Sequence, residues 1–271
     1  MNAQIKSLLR ALLPREIKRH RILTGSLRGC PILTSWYDYP AAILGRTERP
    51  LLDWFQRNVQ SGQTWLDIGA HYGYTAISLS RMVGESGRVF AFEPMLGTAG
   101  YITQTRRLNN FPQLMVVPYG LAAPETMEMI RLPMTRGMVD SSLVKDEGGR
   151  RKDKGGKTQE KEWVETIMVA RFDWLWTRIC DTDDGIDGVK IDVQGMENEV
   201  LTGMMDTLRS KHPKLVVELH RGVNREKFLH TIELAGYACD AIPIEPAEGE
   251  VSPLYIDDHS YFFHKPNEAG T

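Results

Sequence analysis

Apolar residues recur along this chain with two different spacings, and the alternation of the two predicts an α/β fold. Short continuous apolar runs are typical of strands that are buried on both faces of a parallel sheet. Such runs occur at 64–68, 87–93, 114–118 and 214–222, and a short strand is also predicted at 189–193, where Val189, Ile191 and Val193 are the apolar positions. Between most of them, apolar residues three or four positions apart predict helices. We therefore expect a doubly wound, mostly parallel sheet flanked by helices.

The same two patterns locate the individual helices and the remaining strands. In the segment 47–60, Leu51, Leu52 and Phe55 share one face, and Thr47 is the predicted N-cap. Further helices are predicted after the turn that follows residue 68, from 95 to about 110, after the turn that follows residue 193, and at 225–234. Further strands are predicted at Glu128–Leu132 and Val164–Val169, and within 236–244 and 259–265.

Composition indicates one large domain of the kind found in soluble enzymes. The chain has 271 residues, of which 42% are hydrophobic and 25% charged. Its net charge of −2 offers no general attraction to nucleic acid, so none is expected as a partner. Cys30, Cys180 and Cys239 lie far apart, which favours neither a disulfide framework nor a zinc site and fits a reducing cytoplasm. No apolar run approaches the ~20 residues that span a bilayer.

A basic extension, residues 1–46, precedes the main domain predicted over 47–271. Five apolar residues recur there at helical spacing: Ile5, Leu8, Leu9, Leu12 and Leu13. Positive charge comes from Lys6, Arg10, Arg15, Lys18, Arg19 and Arg21. Two interpretations stay open: a helix that docks on the domain or on a dimer partner, or contact of residues 1–23 with an anionic membrane surface or a lipid-linked glycan. The second would place the chain at the inner face of the membrane.

The segment 145–162 is predicted to be an insertion outside the core. Twelve of its eighteen residues are charged, four are Gly and none is apolar. Such a segment cannot bury enough surface to offset the entropy of ordering it. It is either a passive solvated insertion or a lid that orders when an acceptor binds.

The turn after the first predicted strand carries the first candidate chemistry. A dinucleotide fingerprint needs a second glycine where the backbone meets a pyrophosphate, and here His71 occupies that place between Gly69 and Gly73. S-adenosylmethionine has no pyrophosphate and tolerates a side chain there. The next strand ends on Glu93, at the spacing that presents an acid to a ribose diol. These features favour a methyltransferase over the plainer alternative, an ordinary turn with Gly69 as its turn glycine.

Two later strand ends bring further charged groups to the same edge of the predicted sheet. Asp192 lies at the carboxyl end of a central strand, where open α/β sheets bind ligands, and Lys190 lies two residues earlier on the same side. Glu218 and His220 share a face at the end of the next strand. The alternatives are a helix N-cap for Asp192, a surface acid for Glu218 and a half-exposed strand-end histidine for His220.

In this order along the chain, the motifs resemble the FkbM family of S-adenosylmethionine-dependent methyltransferases, over about residues 47–265. The matching segments are DIGAHYGY at 67–74, GRVFAFEP at 87–94, Asn109, Ser141-Ser142, FDWL at 172–175, VKIDVQGMENEVLTG at 189–203 and VVELH at 216–220. The resemblance implies a Rossmann-like class I sheet of seven strands with one antiparallel strand near the C-terminus. It also implies O-methylation of a hydroxyl on a sugar, a glycan or glycolipid, or a natural product.

Combining the turn chemistry with this resemblance gives a set of expected cofactor-site residues. They are Asp67, Gly69, Ala70, His71, Tyr72, Gly73, Glu93, Pro94, Ser141, Ser142 and Asp192. Two residues depart from the family pattern. His71 stands where the family usually has Asn, and Gln194 stands where the common form has Glu. The second departure removes an acid beside Asp192 and weakens the case for a metal.

Methyl transfer from a sulfonium needs little beyond placement of the acceptor oxygen and removal of its proton. Asp192 is the first choice for the base or for acceptor binding, and His220 is the second. A divalent ion held by Asp192 and Glu218 is a third way to acidify the hydroxyl.

Three other classes of function were weighed against this one. A nicotinamide oxidoreductase is disfavoured by His71. A nucleic-acid methyltransferase is disfavoured because the chain lacks an N-P-P-Y-type motif, a P-C nucleophile and net basic charge. A non-catalytic module that binds S-adenosylmethionine is the main alternative, against which the retained Asp192 and Glu218 argue.

Overall fold

The computed structural model describes residues 12–135, 138–139, 163–180 and 185–266. Strands and helices alternate through its first half as the sequence predicts. The strands are β1 (Lys18–Arg21), β2 (Pro31–Thr34), β3 (Thr64–Ile68), β4 (Arg88–Phe92), β5 (Leu114–Val117), β6 (Gly120–Ala122), β7 (Met127–Thr135), β8 (Met138–Val139), β9 (Trp163–Arg171), β10 (Gly188–Ile191), β11 (Lys214–Leu219), β12 (Ile242–Pro243) and β13 (His259–Phe263). The helices are α1 (Pro40–Leu44), α2 (Arg49–Asn58), α3 (Tyr74–Val83), α4 (Leu96–Asn109), α5 (Phe172–Ile179), α6 (Glu197–Gly203), α7 (Met205–Lys211) and α8 (Arg225–Leu234).

The largest sheet has seven strands in the order β12-β13-β11-β10-β3-β4-β5. Strands β3, β4 and β5 are parallel to one another. Strand β13 is antiparallel to β11 and to β12. The mixed sheet with an antiparallel strand near the C-terminus confirms the fold class expected from the sequence.

The chain forms two compact units. The first unit comprises the described residues up to Pro118 and those from Gly185 to Lys190. The second unit comprises the described residues from Tyr119 to Cys180 and those from Ile191 onward. The predicted single domain, 47–271, therefore consists of two compact parts.

In the first unit, β3 forms the centre of the core, and all five of its residues are buried. A Cβ atom on Gly188 would lie 2.4 Å from the indole of Trp65, so the start of β10 requires glycine. Helix α2 packs its aromatic face on the same indole, with Phe55 5.6 Å away between ring centroids. The N-cap of α2 is Glu48, in the left-handed region at φ 53°, and not Thr47 as the sequence predicted. The left-handed conformation of Glu48 starts the helix one residue later.

The predicted N-terminal extension contains a hairpin within residues 12–46. Strands β1 and β2 pair antiparallel, so Lys18, Arg19 and Arg21 lie on a strand and not on a basic helix. Leu12 and Leu13 lie outside any helix, and the earlier part of the predicted helix falls outside the described residues. The amide of Asn109 in α4 donates to the Pro31 carbonyl of β2 at 2.8 Å. This hairpin is therefore fastened to the first unit.

The second unit carries a separate four-stranded sheet in the order β6-β9-β7-β8, in which β7 and β9 pair antiparallel. The single helix predicted after residue 193 is divided into α6 and α7. A Cβ atom on Gly203 would lie 1.9 Å from the carbonyl oxygen of Ala122, so β6 crosses α6 where only glycine fits. The carboxylate of Asp173 accepts the backbone N–H groups of Asp206 and Thr207, each at 3.0 Å, and caps the start of α7.

The segment 145–162, predicted to be an insertion, lies outside the described residues, as do Ser141 and Ser142. Across the described parts of the chain, every helix is too short or too polar to cross a membrane.

Candidate functional site

The glycine turn after β3 is fastened to the end of β4. The backbone N–H groups of Gly69 and Ala70 both donate to the Phe92 carbonyl at 3.0 Å, and that of Gly73 closes the turn onto Ala70 at 2.7 Å. Gly69 and Gly73 have φ values of 81° and 82°, which favour glycine. The backbone is thus held close to the strand end without a side chain at either position.

His71, between these glycines, also lies in the left-handed region, at φ 49°. Histidine and asparagine both tolerate this conformation better than most residues. This tolerance is consistent with His71 at the position where the resemblance implies Asn. Its ring packs against Tyr72 and Tyr39, with centroid distances of 4.5 Å and 5.2 Å.

Glu93 lies beside the turn, as the spacing of the two strands predicts. Its carboxylate accepts the backbone N–H of His71 at 2.9 Å and that of Met95 at 3.0 Å, one on each oxygen. A carboxylate oxygen has a second lone pair, so both retain capacity for a further donor. Burial raises the pKa of the Glu93 carboxyl from 4.5 to about 7, against the opposing effect of the two N–H groups and of Lys190.

Asp67 anchors the turn from within the core. It is fully buried, accepts the Thr75 hydroxyl at 2.6 Å, and pairs with Lys190 at 3.2 Å. The Lys190 ammonium also donates to the Gly69 carbonyl at 3.4 Å. The sequence placed Lys190 on the same side of its strand as Asp192 but did not foresee this pairing. Asp67, expected in the cofactor site, thus holds the shape of the turn.

In the second unit, the structure brings together Asp192, Glu218 and His220. The Nε2 atom of His220 lies 3.4 Å from Oδ1 of Asp192 and 3.5 Å from Oε1 of Glu218. His220 is buried, whereas the two carboxylate side chains are about one-fifth exposed. The N-cap of α6 is Met196, so Asp192 is not the helix cap that the alternative interpretation proposed.

Two further residues belong to this cluster: Glu197, which the sequence did not lead us to expect, and Gln194, which was noted only as a departure beside Asp192. Glu197 is fully buried, and its Oε1 lies 2.8 Å from Nδ1 of His220 and accepts the Gly195 N–H at 3.1 Å. The Gln194 amide nitrogen lies 2.9 Å from Nε2 of His220. A signal for Glu197 was available, because it precedes Val200 and Leu201 by three and four positions on the apolar face of the helix. A carboxylate on an apolar face requires a partner.

The charges around His220 affect its protonation. Burial by itself lowers the pKa of the imidazole, but the hydrogen bond to Glu197 and the negative charges of Asp192 and Glu218 outweigh burial. The pKa of His220 therefore lies above its usual value.

Comparison with known proteins assigns the family. Residues 67–239 match a protein-family model described as the methyltransferase FkbM domain, which is more than half of the chain. The chain belongs to the FkbM methyltransferase family. A search of curated proteins finds no match.

Several solved structures resemble the FkbM chain at low sequence identity. Methyltransferase FkbM from Methylobacillus flagellatus KT has a TM-score of 0.48 and 14% identity, covering 79% of this chain and 50% of that chain. A SAM-dependent methyltransferase from Aquifex aeolicus has a TM-score of 0.41 and 14% identity, covering 79% and 87%. Aeropyrum pernix fibrillarin, solved with natively bound S-adenosyl-L-methionine, has a TM-score of 0.42 and 15% identity, covering 91% and 81%. The chain spans half the length of the Methylobacillus protein.

The FkbM family model begins at Asp67, so it includes the glycine turn, Glu93 and the cluster around His220. The seven-stranded mixed sheet is the Rossmann-like class I methyltransferase fold that the resemblance implied. The chain thus carries a methyltransferase domain.

Proposed function

We propose that this FkbM domain transfers a methyl group from S-adenosylmethionine to a hydroxyl of a sugar, a glycan or glycolipid, or a natural product. The observation that carries the proposal is the position of Glu93, a buried carboxylate held beside the glycine turn by the His71 and Met95 N–H groups. A ribose diol offers two hydroxyl donors to such a group. The turn itself has His71 where a pyrophosphate-binding turn needs glycine.

Support for an alcohol acceptor comes from the second unit. An alcohol is far from ionised at neutral pH, so a group that accepts or displaces its proton is required. Asp192, Glu218 and His220 provide two carboxylates and one imidazole within hydrogen-bonding reach of a shared space. We propose that Asp192 takes the proton or binds the hydroxyl, with His220 and Glu218 beside it. A divalent cation at the same three residues is the other way to acidify the hydroxyl.

Isothermal titration with S-adenosylmethionine, S-adenosylhomocysteine and NAD tests the cofactor. We expect the first two to bind and NAD not to bind. Substituting Glu93→Ala removes two charge-assisted hydrogen bonds to the ribose, worth about 2–3 kcal/mol, and should weaken binding roughly 30- to 150-fold. Glu85→Ala, at an exposed glutamate of the same unit, is the control and should bind as the wild type does. Unchanged affinity in Glu93→Ala would contradict the assignment.

The acceptor is sought by following release of S-adenosylhomocysteine. Deoxysugars and cell-surface glycans are the first compounds to screen, because they present the free hydroxyl groups that the proposal requires. If the chain binds S-adenosylmethionine but methylates none of the compounds in a broad screen, that result would favour the non-catalytic binding module.

A weak membrane contact or a homodimer through the N-terminal segment is also proposed. In its described part, the Lys18, Arg19 and Arg21 side chains of β1 are exposed and basic. Sedimentation with vesicles containing anionic lipid tests the membrane, and light scattering tests the dimer. Charge-neutral vesicles are the control, because attraction to them would not depend on the basic residues.

A further inference from the structure

Two carboxylates and one imidazole meet in the second unit. Asp192 follows β10, while Glu218 and His220 come from the end of β11, and each offers one ligand atom within 4.8 Å of the others. Two carboxylate oxygens and one imidazole nitrogen form a donor set that divalent first-row metals accept. The separation is close enough for one ion to reach all three after small side-chain movements.

The histidine of this set is fixed in the orientation that a metal needs. Its Nδ1 atom lies 2.8 Å from Oε1 of Glu197, a carboxylate that can only accept, so Nδ1 carries the hydrogen. Nε2 then faces the two outer carboxylates, at 3.4 Å and 3.5 Å. A metal-binding histidine almost always donates its other N–H to a carboxylate or carbonyl, and Glu197 has that position.

Charge also favours a cation here. Asp192, Glu197 and Glu218 contribute three carboxylates around one imidazole, and Glu197 is fully buried. Its other oxygen, Oε2, has no hydrogen-bond partner among the described residues. The Arg225 guanidinium lies nearby, but it donates to the His220 backbone carbonyl at 3.1 Å and pairs with Asp257. A positive ion at the three ligands would be attracted by these carboxylates.

Gln194 is a further polar contact of this cluster, with its amide nitrogen 2.9 Å from Nε2 of His220. Rotation of the side-chain amide exchanges its nitrogen and its oxygen. An amide oxygen is a ligand for hard divalent cations, so the rotated side chain can join the coordination shell. The side-chain amide of Gln194 therefore has to rotate for an ion to bind, but the side chain can stay beside His220.

We infer that Asp192, Glu218 and His220 bind a divalent cation of the Mn²⁺ type. The imidazole favours a first-row transition metal over Ca²⁺ or Mg²⁺, and the two carboxylates favour Mn²⁺ over softer ions. The inference deepens the proposed O-methyltransferase function and rests on it for its chemical role. There the ion, held by Asp192, Glu218 and His220, would supply Lewis-acid chemistry that acidifies the acceptor hydroxyl, whose proton would pass to water. The oxygen then forms the bond to the methyl carbon as the carbon–sulfur bond breaks, and the product is neutral S-adenosylhomocysteine.

The test measures Mn²⁺ binding alone, without S-adenosylmethionine or acceptor. Chelator-treated full-length chain is titrated with Mn²⁺ by calorimetry, and free Mn²⁺ is followed by electron paramagnetic resonance. We expect one ion per chain. Asp192→Asn and Glu218→Gln should each weaken binding strongly, and Glu197→Gln, which removes the orienting charge, should weaken it roughly 10- to 100-fold.

Asp240→Asn is the matched control. Asp240 lies 3.5 Å from His264, so it is also a carboxylate beside a buried histidine, in the same unit. It should bind Mn²⁺ as the wild type does. The inference would be overturned if the wild type did not bind Mn²⁺. It would also be overturned if Asp240→Asn lost as much Mn²⁺ affinity as the ligand variants did, or if the double variant Asp192→Asn, Glu218→Gln bound Mn²⁺ as tightly as the wild type. Failure to bind S-adenosylmethionine would instead contradict the proposed function, because the Mn²⁺ titration does not depend on it.

Discussion

The Lys190 ammonium lies 3.2 Å from Oδ1 of Asp67, and neither side chain is more than 4% exposed. A buried ion pair of this kind is costly to break from one side, because the remaining charge stays buried without compensation. The pair joins β10 to the end of β3, where the glycine turn begins. Its integrity therefore affects both stability and the shape of the glycine turn.

Replacing Lys190 with Met should destabilise the fold by about 3–5 kcal/mol, since the Asp67 carboxylate is left without its cation. Urea unfolding followed by circular dichroism measures the loss. The double variant Lys190→Met, Asp67→Asn should recover much of it, because no buried charge remains. Lys214→Met, at a partly exposed lysine that starts β11, is the control. If the single and double variants were equally unstable, the charge of Asp67 would not be the cause.

Glu93 should make the unliganded fold less stable as pH rises. Its pKa is about 7 in the folded chain against an ordinary value of 4.5. Between those two values the folded state holds more protons than the unfolded state, so stability falls with rising pH. The full effect above pH 7 is on the order of 3 kcal/mol.

Glu93→Gln removes this titration and tests it directly. We expect the variant to be more stable than the wild type at pH 8 and nearly equal to it at pH 4, in urea unfolding without cofactor. Glu85→Gln should follow the wild type at both values. If Glu93→Gln is no more stable than the wild type at pH 8, the ionised Glu93 carboxylate does not destabilise the fold.

His71 is expected to tolerate Asn better than Val. Both substitutions remove the ring contacts with Tyr39 and Tyr72, but a β-branched residue also has to adopt φ 49°. The left-handed conformation costs roughly 1–2 kcal/mol for an ordinary L-residue, and more for a β-branched one. Thermal unfolding of the two variants separates backbone strain from lost packing. Equal stability of the two would mean that the backbone relaxes there.

Asp192→Asn should leave cofactor affinity unchanged and lower turnover roughly 10²- to 10⁴-fold, the usual range for a lost acid–base group. The amide keeps the shape of the side chain but cannot take a proton, and it is a weaker metal ligand. Turnover on an identified acceptor and calorimetry with S-adenosylmethionine provide the two measurements, with Asp240→Asn as the control. Wild-type turnover in Asp192→Asn would move the proton-accepting role to His220 or to water.

The strands β3 and β4 could be predicted almost to the residue, because a continuous apolar run that ends in Gly or in Glu-Pro leaves few alternatives. The division between α6 and α7 could not. At that point the Ala122 carbonyl lies against Gly203, a contact between segments about eighty residues apart, which apolar spacing cannot reveal.

The candidate site shows the same limit. Period-two alternation placed Glu218 and His220 on one face, and the structure has them together. Alternation gives the side of a strand on which Lys190 lies but not its partner, so the pairing with Asp67 was not foreseen. The burial of Glu197 could not be predicted in the same way, because an acid in the first turn of a helix is usually exposed.

The hairpin of β1 and β2 also determines where the protein can be shortened. Ile22, Leu27 and Ile32, from the hairpin region, are buried in one cluster with Tyr72, which lies in the glycine turn, and Tyr74, which follows it. A version that starts at residue 67, where the family match begins, would expose that cluster and lose three of the five residues of β3. Such a fragment would aggregate or be digested before any assay of methyl transfer. The segment that matches the family model is thus shorter than the segment that has to be expressed to obtain a folded protein.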